Sequence, residues 1–172
     1  MNRDLASASL LAAALLVAAP EPLRAAPAAA TSGADAIVLK PLTLLKVEDM
    51  DFGALFPSAS AGTATIDPYT GAVSVAGGVT LGPGPTTAAL FTGAGTRRAP
   101  VIIRLPKSPI TLTRTGGTET MTVSNWTLDG NSTRIINAFE AFEFRVGGQL
   151  NVAANQADGT YVGSFDVTVV YP

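Results

Sequence analysis

From Leu42 to the C-terminus the chain is a succession of short apolar segments broken every few residues by Gly, Pro, Asn or Asp, and this punctuation limits what it can fold into. A helix needs an apolar stripe held over about three turns, which no stretch of this region supplies. Alternation at period two, with many Val, Ile, Thr and Phe, instead suits strands whose side chains point to opposite faces. The expected strands cover residues 42–47, 63–66, 72–75, 88–92, 101–105, 110–113, 120–128, 142–146, 150–154 and 160–171. Two breaks have a clear mechanism. Asp67-Pro68-Tyr69-Thr70-Gly71 presets a proline at a turn corner, and Gly82-Pro83-Gly84-Pro85, with no N–H on either proline, can hardly continue a ladder.

The last segment has the clearest pattern. Tyr161, Phe165, Val167, Val169 and Tyr171 share one parity with Gly163, while Ser164, Asp166 and Thr168 take the other, so one face goes to a core and one to water. Phe142, Phe144 and Val146 alternate with Glu143 and Arg145, and Leu150, Val152 and Ala154 follow. A two-residue turn at Gly147-Gly148 would put these two apolar sets on opposite faces; a three-residue connection over 147–149 pairs Val146 with Leu150 and unites them, so a hairpin is expected there. In 120–128 the apolar parity changes between Met121/Val123 and Trp126/Leu128, which predicts a bulge near Ser124 or Asn125. Ten strands this short fit two packed antiparallel sheets better than a closed barrel, and an immunoglobulin-like β-sandwich is the expected all-β fold.

Composition then removes whole classes of chemistry. The 172 residues include neither His nor Cys, which excludes Ser-His-Asp and Cys-His catalysis, His- or Cys-ligated zinc, and disulfides. A net charge of -2 is not the basic footprint of a nucleic-acid binder. At the N-terminus, Arg3 precedes an uncharged apolar run over 5–19, too short to span a bilayer and suited to a signal core; Ala28 and Ala30 supply the small pair of a cleavage site after Ala30. The expected organisation is a signal peptide over 1–30 and one β-sandwich domain over 31–172, with 31–41 as an extension or donor strand and no stable membrane span after cleavage. Removal of the leader leaves about 142 residues, enough for a single core without disulfides.

Several short motifs recur together in a particular order: Pro41-Leu42-Thr43-Leu44, Met50-Asp51-Phe52-Gly53, Phe144-Arg145-Val146-Gly147, Ala154-Asn155-Gln156, and Gly159-Thr160-Tyr161 followed by Val167-Thr168-Val169-Val170-Tyr171. Over residues 37–171 the chain resembles a bacterial exported family known as a domain of unknown function, number four-four-zero-two. That family is in turn similar to archaic chaperone-usher fimbrial subunits and to spore-coat-U-type domains, in which the last strand ends in a Gly-x-Tyr…Tyr pattern; Gly159, Tyr161 and Tyr171 match it here. The resemblance implies a pilin-like fold lacking one strand, which a neighbouring subunit's N-terminal extension supplies. It also implies three partners: a periplasmic chaperone, an outer-membrane usher, and identical or related subunits. Pro172 after the terminal Tyr and the absent Cys pair depart from the pattern.

The residues expected to pair strands or contact the chaperone are Ile37, Val38 and Leu39 in the extension, with Tyr161, Phe165, Val167, Val169 and Tyr171 in the last strand. A donated strand needs alternate apolar side chains entering an acceptor groove. Ile37, Leu39 and Pro41 share one parity and Val38, Leu42 and Leu44 the other; Lys40 interrupts the second set and Pro41 removes a donor from the first. Pairing of 37–47 within its own domain is therefore an open alternative.

Other clusters have simple structural readings. Glu48, Asp49 and Asp51 read as solvated carboxylates at a strand end, with Asp51 organising the Phe52-Gly53 corner. Glu143, opposite Phe142 and Phe144, meets water rather than pairing catalytically with Glu140, and Arg97-Arg98 solvates a loop. Trp126 fills space between sheets, while Asn155 and Gln156 are turn chemistry before the last strand. The functional expectation is a non-catalytic exported structural subunit of surface fimbriae or a related assembly, without cofactor or metal, passing through the periplasm to the cell surface. The alternative is a monomeric secreted or surface binding module for glycans, with Trp126 and the Gly-rich loops as contacts.

Overall fold

The computed structural model describes residues 30–172; the leader expected over 1–30 lies, except for Ala30, outside the described residues. Residues 30–36 carry no helix or strand. From Ile37 onward the protein forms one unit of eleven strands: β1 Thr43–Glu48, β2 Leu55–Ile66, β3 Val73–Leu81, β4 Ala89–Ala94, β5 Pro100–Arg104, β6 Ile110–Arg114, β7 Thr120–Leu128, β8 Thr133–Ile135, β9 Ala141–Val152, β10 Tyr161–Val162 and β11 Thr168–Val170. No helix occurs among the described residues. An eight-stranded sheet runs β1-β4-β9-β7-β6-β10 with the β2–β3 hairpin attached to β9, and a three-stranded sheet runs β11-β5-β8. Every pairing is antiparallel, which makes the domain the all-β sandwich that the alternation predicts.

The centre of the large sheet is β9, and here the expected hairpin is corrected. Residues 147–149 do not turn: β9 is a single strand of twelve residues. Along one edge it pairs first with β4 (Ala94↔Ala141 to Ala89↔Val146) and then with β2 (Thr65↔Gln149 to Gly62↔Val152); β7 takes the other edge. A straight strand unites the apolar sets as well as a three-residue loop would, because Phe142 to Val152 keep one parity throughout. Gly147 and Gly148 look like a turn in the sequence but are buried where partners approach closely. A Cβ on Gly147 would overlap the Ile66 carbonyl oxygen and lie 2.8 Å from Thr127 Oγ1.

The expected bulge is present. In β7, Ser124 faces Gln149 while Thr127 faces Gly147, so one extra residue is accommodated and the inward set changes from Met121/Val123 to Trp126/Leu128. Asn125 takes φ +50° at that point. The Asp67 turn closes β2–β3: its Oδ1 accepts from the Tyr69 N–H (2.7 Å), and Gly71, at φ +72°, donates to the Asp67 carbonyl (2.8 Å). Strand β8 and the outer halves of β2 and β3 carry too little apolar alternation to be read from sequence.

The core has two parts. Phe91, Val101, Ile103, Ile136, Phe142, Phe144 and Val146 pack between the small sheet and the first half of β9, with Phe91 stacked on Phe144 at 5.3 Å between centroids. Phe52, Ile66, Val79, Val123, Leu150 and Val152 form the second part beneath the hairpin; Met50 and Trp126 touch both.

Candidate functional site

The last segment is not the single strand expected over 160–171. It crosses from one sheet to the other: Tyr161 and Val162 pair with β6, Thr168 to Val170 pair with β5, and residues 163–167 belong to neither ladder. The crossing begins at a glycine. Gly163 passes against β6 so closely that a Cβ would lie 2.6 Å from the Thr111 carbonyl oxygen and 2.7 Å from Leu112 Cδ2. The expected alternation survives: Tyr161, Phe165, Val167, Val169 and Tyr171 are half-buried, while Ser164, Asp166 and Thr168 are exposed. The segment is not interior, however. Strand β10 ends the large sheet and β11 ends the small one, so among the described residues both leave their second edge free.

Across from this margin runs the other free edge, β1 and the chain following it. Among the described residues strand β1 pairs only with β4, and its pairing continues through an isolated bridge between Asp51 and Thr87. The Asp51 carboxylate accepts from the Gly53 N–H (2.8 Å), and Gly53 takes φ +71°, so the corner after Met50 is fixed as expected. Between the two margins lies a groove of about 960 Å³. One bank is built from Asp49 to Leu55 with Lys46, the other from Gly159 to Val167; the floor includes Phe91, Leu112, Val123, Trp126 and Leu150. The banks run antiparallel: β1 leads away from Lys40, and the last segment returns to it, ending with the Tyr171 hydroxyl on the Lys40 carbonyl (2.8 Å).

The chemistry of the groove is that of a core left open. Trp126 packs on Phe165 with centroids 4.7 Å apart, and its indole N–H donates to the Ser108 carbonyl (3.3 Å). Polar groups keep to the banks, where Lys46 pairs with Asp49 at 2.6 Å. Among the described residues, no cluster of acidic side chains is arranged to hold a metal ion. Glu48 pairs instead with Arg145 (3.6 Å) and Glu140 with Lys40 (2.6 Å), while Glu143 faces water.

Tyr161 and Tyr171 hold the two ends of the last segment. The Tyr161 hydroxyl donates to the Ala157 carbonyl (2.8 Å) and accepts from Gln156 Nε2 (2.7 Å), which gives Gln156 the expected turn role. Tyr171 receives the Thr96 N–H (2.8 Å) and donates to Lys40. Ile37, Val38 and Leu39 are in no strand; self-pairing of the N-terminal segment begins only at Thr43. Ile37 and Val38 are 86% and 92% exposed. Sequence reasoning missed the groove's Met50, Phe52, Ile110 and Leu112, and it missed the clamp of Thr96 and Glu140 on Lys40. The spacing Met50-x-Phe52 is the one local signal, two large apolar side chains of one parity around the acidic Asp51.

No helix among the described residues is long and apolar enough to cross a membrane. No curated protein and no solved structure matches the chain. Residues 42–171, from the start of β1 to the Tyr171 clamp, match one family along their whole length, and the chain belongs to it: Domain of unknown function (DUF4402).

Proposed function

We propose that the protein is a non-catalytic, exported structural subunit of surface fimbriae or a related assembly, and that it assembles by accepting a β-strand into the groove between its two free margins. The observation that carries this reading is the groove itself. It is floored by core side chains, bounded by two antiparallel margins whose edges are unused among the described residues, and long enough on each bank for a strand of several residues. An inserted strand would extend hydrogen bonding along residues 163–167, and its alternate side chains would cover Phe165, Trp126 and Leu112. Free strand edges are ordinarily protected or used. The unpaired Ile37, Val38 and Leu39 supply apolar side chains of the kind such a groove accepts, and the resemblance of the Gly159-x-Tyr161…Tyr171 pattern to the last strand of archaic fimbrial subunits and spore-coat-U-type domains is in keeping with the same reading. A periplasmic chaperone occupying the groove before assembly, and an usher at the outer membrane, follow from that similarity as proposed partners.

Trp126 is the chain's sole tryptophan and lines the groove, so it reports occupancy directly. Deleting residues 31–39 is expected to abolish polymer formation while export continues. Adding a synthetic peptide of residues 31–39 to the deleted chain is expected to shift Trp126 emission to the blue and reduce acrylamide quenching. Unchanged polymers after the deletion, together with unchanged Trp126 emission at saturating peptide, would refute strand exchange.

A further inference from the structure

We infer that the turn carrying Phe139, beside the clamped Lys40, is the face on which a second copy of this chain seats its groove end at Leu55 and Phe56. The inference rests on the strand-exchange reading above and concerns the junction between copies rather than the groove.

Lys40 is fixed to its own domain at three points. Its N–H donates to Thr96 Oγ1 (2.6 Å), its carbonyl accepts from Tyr171 (2.8 Å), and its ammonium pairs with the Glu140 carboxylate (2.6 Å). Pro41 follows, with its fixed φ. Leu39 directly precedes this anchor, and one residue spans no more than about 3.6 Å. A copy that takes Ile37, Val38 and Leu39 into its groove therefore has no slack: the end at which the donated strand leaves must touch whatever surrounds Lys40, and a strand antiparallel to residues 163–167 leaves where the banks reach Leu55 and Gly159.

What surrounds Lys40 is an apolar side chain held out by a rigid turn. Phe139 is 90% exposed, next to Glu140. Asn137 Oδ1 accepts from the N–H groups of Phe139 (2.8 Å) and Ala141 (3.0 Å), Gly95 donates to the Glu140 carbonyl (3.0 Å), and Glu140 takes φ +65°. So many fixed bonds hold the ring in water, where it gains nothing from its own chain. Ile135 is exposed on the strand leading to the turn. At the opposite end of the groove, where the banks finish at Leu55 and Gly159, the exposed large apolar side chains are Phe56, Leu81 and Val162. These two patches differ and lie at opposite ends, so their contact is heterologous and repeats from copy to copy instead of closing a dimer.

The chain contains no Cys, so Phe139→Cys, Ile135→Cys and Phe56→Cys each introduce a unique thiol in the full-length protein; Tyr69→Cys, at the exposed Asp67 turn, serves as control. Maleimide labelling rates would be compared between monomer and polymer fractions. The expected result is at least tenfold slower labelling in polymer at positions 139 and 56, with position 135 also slowed and position 69 changed less than twofold. Polymer that labels at 139 and 135 as fast as monomer overturns the junction while leaving strand exchange intact. Failure of all four variants and the unsubstituted chain to form polymer overturns both.

Discussion

The unbroken course of β9 makes a sharp prediction at two adjacent glycines. At Gly147 an added methyl would meet the Ile66 carbonyl oxygen, Thr127 Oγ1 at 2.8 Å and Pro68 Cδ at 3.1 Å. Two of these neighbours cannot retreat, since one is backbone at the end of β2 and the other is the ring of the Asp67 turn. Overpacking of this kind costs about 1–3 kcal/mol, and fixed neighbours put Gly147→Ala near the top of that range. Alanine recovers roughly 0.5–1 kcal/mol of the backbone entropy that glycine loses in a strand, leaving a net loss of about 2 kcal/mol. For a domain of this size that lowers Tm by about 6–10 °C. At Gly148 the nearest atoms are Val123 Cγ1 (3.1 Å) and Trp126 Cε3 (3.3 Å), both in side chains able to shift, so Gly148→Ala should be within about 0.5 kcal/mol of neutral. Urea titration of both variants, followed by Trp126 fluorescence, measures the difference. If both substitutions prove equally mild, residues 147–149 form an open turn and β9 is not continuous.

Three further outcomes are expected. Tyr171→Phe removes the hydroxyl shared by the Thr96 N–H and the Lys40 carbonyl; a loss of about 1–2 kcal/mol and faster hydrogen exchange at the Thr96 amide should follow, and an unchanged exchange rate would count against the clamp. Asp51→Ala deletes the acceptor of the Gly53 N–H on the groove bank and is expected to cost about 1 kcal/mol of stability, read as a lower urea midpoint. Glu119 has its carboxyl held below the ordinary 4.5, first by a hydrogen bond from its own backbone N–H and then by the Arg114 guanidinium, against an opposing desolvation. Because the folded value is the lower one, its small contribution to stability is complete above 4.5 and is lost as pH falls through the folded value. An NMR titration should find Glu119 low in the intact chain and nearer its ordinary value after Arg114→Gln.

Much of this was written locally. Alternation set the inward faces of β7 and of the last segment, and a parity change located the bulge at Asn125, because facing inward or outward depends only on counting by two along one strand. The turn at Asp67 and the corner at Asp51 are likewise decided by residues within four positions of each other. The two glycines of β9 show where such reading stops. A Gly-Gly pair has the same local signature in a tight turn and in a crowded strand, and only the approach of Ile66 and Pro68, some eighty residues distant, decides between them. The groove is a tertiary fact for the same reason. Phe165 faces inward by sequence, but the space beside it exists because residues 163–167 leave one sheet before joining the other, and because among the described residues β1 has a partner on one side only. The sequence alone determined which side chains prefer burial. Which of them find a neighbour in their own chain, and which are left at an open margin, was decided by how the sheets meet, since pairing depends on contacts between residues far apart in the chain.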